Sequence, residues 1–384
     1  MSKLNLLMLN YEFPPIGGGA GNANLCLLKQ YARDTNLTID VLTSAPGPGL
    51  LKEKFAENIT IYKVGLHKKS LHFWRKTEVI EWLLKARFRY RKMLRENDYD
   101  LVHAFFGFPT AWLPYRTANK LPYIISLRGS DVPGYNVRLA LDYKLLAGLF
   151  RKIWSGAAAV VANSNGLQSL ALEFMPALDI KVIPNGIDVE KFYPAQEQSL
   201  TKPIKLLTVC RLISRKRIDL LIRAAARAKE LGLDIQFNIA GEGNLMKPLQ
   251  NLADDLNLTD SVVFMRRVPA EQMPQVYRDN HIFVMSSAHE GMSNAMLEAM
   301  ASGLPIITTK CEGVQELIAD NGIVVDYPKA EAIAEAIKTL ADDRQTYKQI
   351  STAARKQARK FSWKSVAEAY SALYRKVLAT AGKK

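Results

Sequence analysis

Short apolar runs recur along the chain with helical patterns or loops between them, and this rhythm limits the fold more than any other feature. The first series is Leu4 to Leu9, Thr38 to Leu42, Ile59 to Val64, Leu101 to His103, Tyr123 to Leu127 and Ala158 to Ala162. A strand covered on both faces carries apolar side chains at successive positions, so these runs predict a parallel sheet with helices on either side. A second series begins after Pro203: Ile204 to Cys210, Ile235 to Ala240, Val262 to Met265, Ile282 to Met285, Pro305 to Thr308 and Gly322 to Val325. Helical patterns such as Ile218 to Leu231 and Ala295 to Ala301 fall between its members. The expectation is two similar doubly wound α/β halves, which suits 384 residues better than one core does. The predicted joint is Ile183 to Pro203, a polar stretch holding Pro184, Pro194, Pro203 and the turn dipeptide Asn185-Gly186.

Composition removes several classes. With 48% hydrophobic and 23% charged residues, neither a disordered nor a fibrous chain is expected. Cys26, Cys210 and Cys311 are far apart and lack zinc-ligand spacing, so no metal site is expected and they are taken as small buried hydrophobes in a reducing cytosol. Neither a signal-peptide pattern nor an apolar run of transmembrane length is found. The net charge of +15 is uneven: Lys63 to Arg95 has eleven Lys/Arg against two Asp/Glu, and Ser351 to Lys384 has nine against one. Such clusters suit an anionic lipid or nucleic-acid surface, or are simply solvated helix faces. Within His72 to Arg95, Phe73, Ile80, Leu84 and Phe88 keep helical spacing among basic residues, with Trp74 and Trp82 close by. Two readings stand for this segment: a membrane-surface helix, or a core-facing helix with a wet basic back.

Three places can carry chemistry. Phe13-Pro14-Pro15-Ile16-Gly17-Gly18-Gly19-Ala20-Gly21 follows the first strand, and a helix is predicted from about Asn22. Backbone amides at Gly17, Gly18 and Gly19 can come close to a phosphate there, although the two prolines and the missing lysine exclude both the GxGxxG and the P-loop patterns. Arg211 and Lys216 follow the first strand of the second half, where open α/β sheets bind ligands, and can neutralise a diphosphate. Glu290 sits in a loop after a strand and Glu298 lies one to two turns into the next helix. Two ionised carboxylates so placed can accept several hydroxyl donors from one sugar ligand. The amides of Gly291, Met292, Ser293, Asn294 and Ala295 at that helix start can meet phosphate or sugar oxygens.

The frame Glu-Gly-x-x-Asn-x-x-x-Glu-Ala-Met-Ala-x-Gly-x-Pro around Glu290 and Glu298 resembles family 4 of the retaining glycosyltransferases. Pro184-Asn185-Gly186-Ile187-Asp188, the pair Arg211 and Lys216, Gly241-Glu242-Gly243 and the Gly17 to Gly19 loop also match that family's landmarks. The resemblance implies the GT-B fold, two facing Rossmann-like domains with a donor site in the cleft between them. It implies an acceptor-side domain of residues 1–185 closed by the terminal helix 363–384, including Trp363 and Tyr370, and a nucleotide-sugar domain of residues 186–362. It gives Glu290 the donor sugar, Glu298 the ribose, Arg211 and Lys216 the diphosphate, and the backbone near Arg267 and Val268 the base. No metal or separate cofactor is implied beyond the nucleotide diphosphate-sugar donor.

Many family members have His-Gly-x-Asp where this chain has Arg128-Gly129-Ser130-Asp131. Arginine stays protonated and cannot be a general base. Arg128 is expected to stabilise the departing phosphate or bind an anionic acceptor, and His103, matching another family landmark at a strand end, to have a direct role or to serve structure. The expected activity is transfer from a UDP- or GDP-sugar to a lipid-linked glycan, in the cytoplasm or peripherally on the cytoplasmic face of the inner membrane through residues 63–95. The alternatives are a soluble acceptor, a nucleotide-sugar epimerase or glycosidic phosphorylase of the same fold, and a nucleic-acid-binding module. The last lacks any aromatic stacking groove or recognised motif.

Overall fold

The computed structural model describes residues 3–71, 73–196, 200–288, 292–311, 313–326 and 328–381. The chain forms two compact units, Met1–Asn185 with Trp363–Lys384, and Gly186–Ser362. Among the described residues no helix is long and apolar enough to cross a membrane.

Unit 1 is built on a sheet of β1 (Leu4–Leu9), β2 (Leu37–Pro46), β3 (Leu50–Ala56), β4 (Ile59–Leu66), β5 (Leu101–Phe105), β6 (Tyr123–Ser126), β7 (Ala159–Ala162) and β8 (Ile180–Val182), ordered β3-β4-β2-β1-β5-β6-β7-β8. All pairs are parallel except β3 with β4. Successive β1 residues Leu6, Leu7, Met8 and Leu9 are all fully buried, as a central strand covered on both faces requires. The sequence rhythm misses β3, and the physical reason is its exposure. An edge strand reached through Gly47 and Gly49, both at positive φ, it carries Lys52, Glu53 and Lys54 instead of an apolar run. The terminal helix Trp363–Ala381 buries Trp363, Val366, Ala367, Tyr370, Leu373, Tyr374 and Val377, a helical stripe that joins the unit 1 core.

Unit 2 has a fully parallel sheet of β9 (Ile204–Val209), β10 (Ile235–Ala240), β11 (Val262–Arg266), β12 (Ile282–Met285), β13 (Ile306–Thr309) and β14 (Gly322–Val325), ordered β11-β10-β9-β12-β13-β14. The chain proceeds outward from β9 to β11 and then returns to place β12 on the other side of β9. That reversal makes the β9–β12 boundary a topological switch point, where helices on opposite faces leave a crevice beyond the carboxyl ends.

Arg355, on the helix Arg344–Ala358, anchors the polar stretch that opens unit 2. Its Nη1 donates to the carbonyls of Phe192 and Ala301, both at 2.8 Å, and its Nη2 to Val189 at 3.0 Å. Ala301 ends the helix Asn294–Ala301, so one guanidinium ties the opening stretch to the far end of that helix. Arg355→Ala leaves three part-buried carbonyls without this donor and is expected to lower stability by about 2–4 kcal/mol in urea unfolding. Arg355→Lys recovers only part, because a single ammonium cannot reproduce the planar fork. An alanine variant as stable as the parent would remove this role.

Candidate functional site

In unit 2 the loops after four adjacent strands interlock. Arg211 is exposed just beyond β9, and a 3-10 turn, Ser214–Lys216, follows. The Ser286 hydroxyl beyond β12 donates to the carbonyls of Lys216 at 3.0 Å and Arg217 at 2.7 Å, and the Ala288 amide donates to Arg215 at 2.8 Å. The turn carrying Lys216 is thereby pinned to the β12 loop. Beyond β10, Gly241 has φ +142, and a side chain there would bring Cβ to 1.8 Å from the Cys210 carbonyl oxygen. A Cβ at Gly243 would stand 2.2 Å from that of Leu212. Only glycine lets these two loops lie so close. The Gly241 amide donates to Arg266, at the end of β11, at 2.7 Å, and Arg267 and Val268 follow, exposed and half-buried respectively.

The β12 loop leads into the helix Asn294–Ala301. Met292 and Ser293 are buried, and the Ser293 hydroxyl caps the helix by accepting from the Met296 amide at 3.3 Å. Asn294 and Ala295 are half-buried in the first turn. Glu298 lies on the same helix, half-buried, and its Oε2 accepts from the Tyr277 hydroxyl at 2.8 Å. Burial outweighs that hydrogen bond and the Lys191 charge, and the Glu298 pKa is pushed up to about 7. Glu290 and Gly291, with His289, lie outside the described residues. The structure therefore gathers Arg211, Lys216, Gly241, Arg267, Val268, Met292, Ser293, Asn294, Ala295 and Glu298 at the carboxyl-end side of one sheet, around its switch point.

Unit 1 has its own switch point between β1 and β5. Gly17, Gly18 and Gly19 lie beyond the carboxyl end of β1, and the helix starts at Gly19, a turn earlier than the sequence suggests. Gly17 has φ +94, and a Cβ there would meet Glu12 at 2.6 Å, whereas Gly18 faces open space and its amide donates to Glu12 Oε2 at 3.3 Å. His103 is fully buried in β5. Its Nδ1 pairs with the Tyr374 hydroxyl at 2.8 Å and its Nε2 with Ser126 Oγ at 2.7 Å. Burial, helped by the Arg128 charge, holds the His103 pKa well below the usual imidazole value, so the ring is neutral. With both nitrogens engaged and no exposed surface, the ring has nothing left to offer a ligand in this arrangement.

Arg128 continues that network. Its Nη1 donates to Asn185 Oδ1 at 3.0 Å and its Nη2 to the Tyr370 hydroxyl at 3.4 Å, with the guanidinium 4.5 Å from the Phe105 ring centre. Tyr370 in turn pairs with Ser126 at 2.8 Å. Asp131 fixes the turn by accepting from the amides of Gly107 at 2.6 Å and Arg128 at 2.9 Å. The sequence offered no signal for Ser126 or Tyr374, because a strand serine and one tyrosine of an apolar helix stripe look like packing.

The model for Glycosyltransferase Family 4 matches residues 17–191, and that for Glycosyl transferases group 1 matches residues 189–357. The chain belongs to the family 4 glycosyltransferases. A relative from Mycolicibacterium smegmatis, named a GDP-mannose-dependent alpha-(1-6)-phosphatidylinositol monomannoside mannosyltransferase, is 26% identical over 88% of this chain and 89% of its own. The solved sucrose-phosphate synthase of Thermosynechococcus elongatus superposes with TM-score 0.83 at 19% identity, covering 98% of this chain and 100% of that one. Anabaena HepE, solved with UDP and glucose, gives TM-score 0.71 at 18% identity over 96% and 99%. The fold is GT-B, built from two Rossmann-like α/β units, and the protein is a glycosyltransferase that uses a nucleotide-sugar donor.

The raised pKa of Glu298 has a stability consequence. The folded glycosyltransferase binds a proton at Glu298 that the unfolded chain has already lost between the ordinary value of 4.5 and about 7. Stability from this group is therefore complete below about pH 4.5 and falls as pH rises to 7, by roughly 3 kcal/mol. Urea unfolding at intervals from pH 5 to 8 is expected to show this decline in the parent and a flatter profile in Glu298→Gln. Parallel profiles would show that the carboxyl is not held neutral.

Proposed function

We propose that this glycosyltransferase is a retaining, metal-independent enzyme that moves a hexosyl or N-acetylhexosaminyl group from a UDP- or GDP-sugar to a lipid-linked glycan. The observation that carries the reading is the convergence of Arg211, Lys216 and Glu298 around the unit 2 switch point, with the Lys216 turn pinned to the β12 loop. A pair of cations at that place is suited to a diphosphate that gains charge as its bond to the sugar breaks. Unit 2 is then the nucleotide-sugar domain and unit 1 the acceptor domain.

In this scheme Glu290 accepts hydroxyls of the donor sugar and Glu298 those of the ribose, while the amides of Gly291 to Ala295 meet sugar or phosphate oxygens. The backbone at Arg267 and Val268 meets the base. In unit 1 the Gly17 amide donates to the Leu71 carbonyl and the Gly18 amide to Glu12, so of the glycine loop only the Gly19 amide is assigned to phosphate, and Arg128 is assigned to the departing phosphate or an anionic acceptor group. His103 is a positioning residue that holds Ser126 and Tyr374, and through Ser126 the Tyr370 hydroxyl beside Arg128. The bond between the sugar C1 and the diphosphate breaks, the acceptor oxygen bonds C1 from the same face, and its proton passes to the leaving phosphate. Retention follows from that geometry, and positioning with charge stabilisation supplies the catalysis.

A lipid-linked acceptor is supported by the name of the M. smegmatis relative and by the basic segment 63–95, which suits work at the cytoplasmic face of a membrane. Thermal unfolding in the presence of UDP-, GDP-, ADP- and dTDP-sugars is expected to rise with at least one of them, and no rise with any would overturn the reading. Glu290→Ala is expected to keep its fold and lose transfer, and a fully active variant would remove the role given to Glu290. The anomeric coupling of the product sugar by NMR decides retention.

Glu298 supplies a further check. A ribose hydroxyl finds a stronger acceptor in the ionised carboxylate than in the neutral carboxyl, so donor affinity is expected to rise with pH towards a plateau above about 7 and to fall below it. Both phosphates of a nucleotide-sugar are esterified and do not titrate there. Calorimetric titration from pH 5.5 to 8.5 is expected to lose this slope in Glu298→Gln, and an unchanged slope would place the titrating group elsewhere.

A further inference from the structure

We infer that unit 1 carries a two-helix insertion face for a bilayer surface containing anionic lipid, which rests on the lipid-linked acceptor reading and extends it beyond the basic segment to a second helix. The helix Lys76–Glu96 has apolar rows on two opposite sides. Trp82, Ala86, Tyr90 and Met93 are buried, and they form the face that packs on the unit 1 core. Ile80, Leu84 and Phe88, spaced by four, stand on the other side, each more than half exposed and Phe88 at 72%. A helix lying on a sheet needs apolar residues on one side and has every reason to be polar on the other. A row of large exposed apolar side chains therefore calls for a covering surface.

The helix Ala140–Ser155 extends the row. Leu141 and Leu145, again spaced by four, are exposed, Leu145 at 73%. Lys76 Nζ pairs with Asp142 Oδ1 at 2.7 Å and joins the starts of the two helices. Phe73, also exposed, lies three residues before the start of the first helix.

Charge selects the occupant. Arg87, Arg91 and Arg95 lie on the same helix as the first row, with Lys92 paired to Glu96 at 3.5 Å, and Lys144 lies beside Leu145 in the second. The carboxylate Glu81, on the outer side of the first helix, is already engaged by Lys85 at 2.6 Å and His67 at 2.8 Å, and Asp142 is engaged by Lys76. Arg87, Arg91 and Arg116, with Trp112, line a cavity of about 80 Å³ beside the row, with room for one lipid phosphate. Apolar side chains pointing outward between cations are the pattern of an interfacial helix, whose side chains enter the acyl boundary while its cations meet headgroups. Each cation near such a surface is worth roughly fivefold in partition. A second copy of this chain would set like charges against each other, and a nucleic acid would leave the aliphatic row uncovered.

The test is cosedimentation of the full chain with vesicles of phosphatidylcholine alone or mixed with phosphatidylglycerol, with duplex DNA as a competitor. Binding to the mixed vesicles alone, weakened by salt, is expected. Leu84→Glu with Phe88→Glu, and separately Leu141→Glu with Leu145→Glu, are each expected to cut it at least tenfold. Arg87→Ala with Arg91→Ala and Arg116→Ala is expected to erase the preference for anionic lipid. The changed side chains are exposed, apart from the half-buried Arg87, and the variants should keep the parent's unfolding temperature and its response to a nucleotide-sugar. Equal binding to both vesicle types, unchanged binding by both glutamate variants, or full displacement by DNA would overturn the insertion face. Vesicle binding as expected with no nucleotide-sugar response would overturn the proposed function and leave the face standing.

Discussion

The unit 2 site depends on a contact between two loops that follow neighbouring strands. β9 and β12 adjoin only because the chain reverses direction across the sheet, and without a further link their loops would be free to part. The Ser286 hydroxyl and the Ala288 amide supply that link by donating to the carbonyls of residues 215–217. These bonds end on backbone carbonyls, so what they fix is the backbone of the turn that carries Lys216. Gly241 and Gly243 do the equivalent on the other flank by removing the side chains that would hold the β9 and β10 loops apart. Three loops then share one backbone framework, which is how loop-borne groups reach the precision of groups on rigid elements.

The same physics sorts two titratable groups into different tasks. His103 is wholly and Glu298 partly held away from water, and in each case burial disfavours the charged form. His103 becomes a neutral bridge with a partner on each nitrogen, which suits a core position that ties the terminal helix to β5 and β6. Glu298 keeps one oxygen on Tyr277 and remains half-exposed beside the switch point, so its remaining acceptor capacity is open to a hydroxyl ligand. A histidine and a glutamate that look equally functional in a motif are separated by which atoms the fold has already used.

The fold was legible from apolar runs because a strand buried on both faces has no freedom to carry polar residues. Leu4 to Leu9 matches β1 residue for residue, and the second series finds every strand of the unit 2 sheet. β3 and β8 escaped for physical reasons: one is an exposed edge hairpin and the other is three residues long. At the site, spacing could place Arg211, Lys216 and Glu298 near strand ends, but it carried no sign of Ser286, whose role depends on a backbone carbonyl seventy residues away. Nor could it show that Asp131 would cap a turn from within the core.

The helix Lys76–Glu96 shows the limit most sharply. Phe73, Ile80, Leu84 and Phe88 keep the helical spacing that ordinarily marks a core face, yet the core takes Trp82, Ala86, Tyr90 and Met93 instead. Both rows satisfy the same periodicity, and only the sheet decides between them. The core claims the row with the bulky Trp82 and Tyr90, because filling the space over β2 and β4 needs volume that Ile80 and Leu84 do not supply. What is left outward is apolar, regularly spaced and set among arginines, an expensive surface to leave against water. An outer row this costly, retained on the unit assigned to the acceptor, is accounted for if the acceptor is delivered from the surface that covers it.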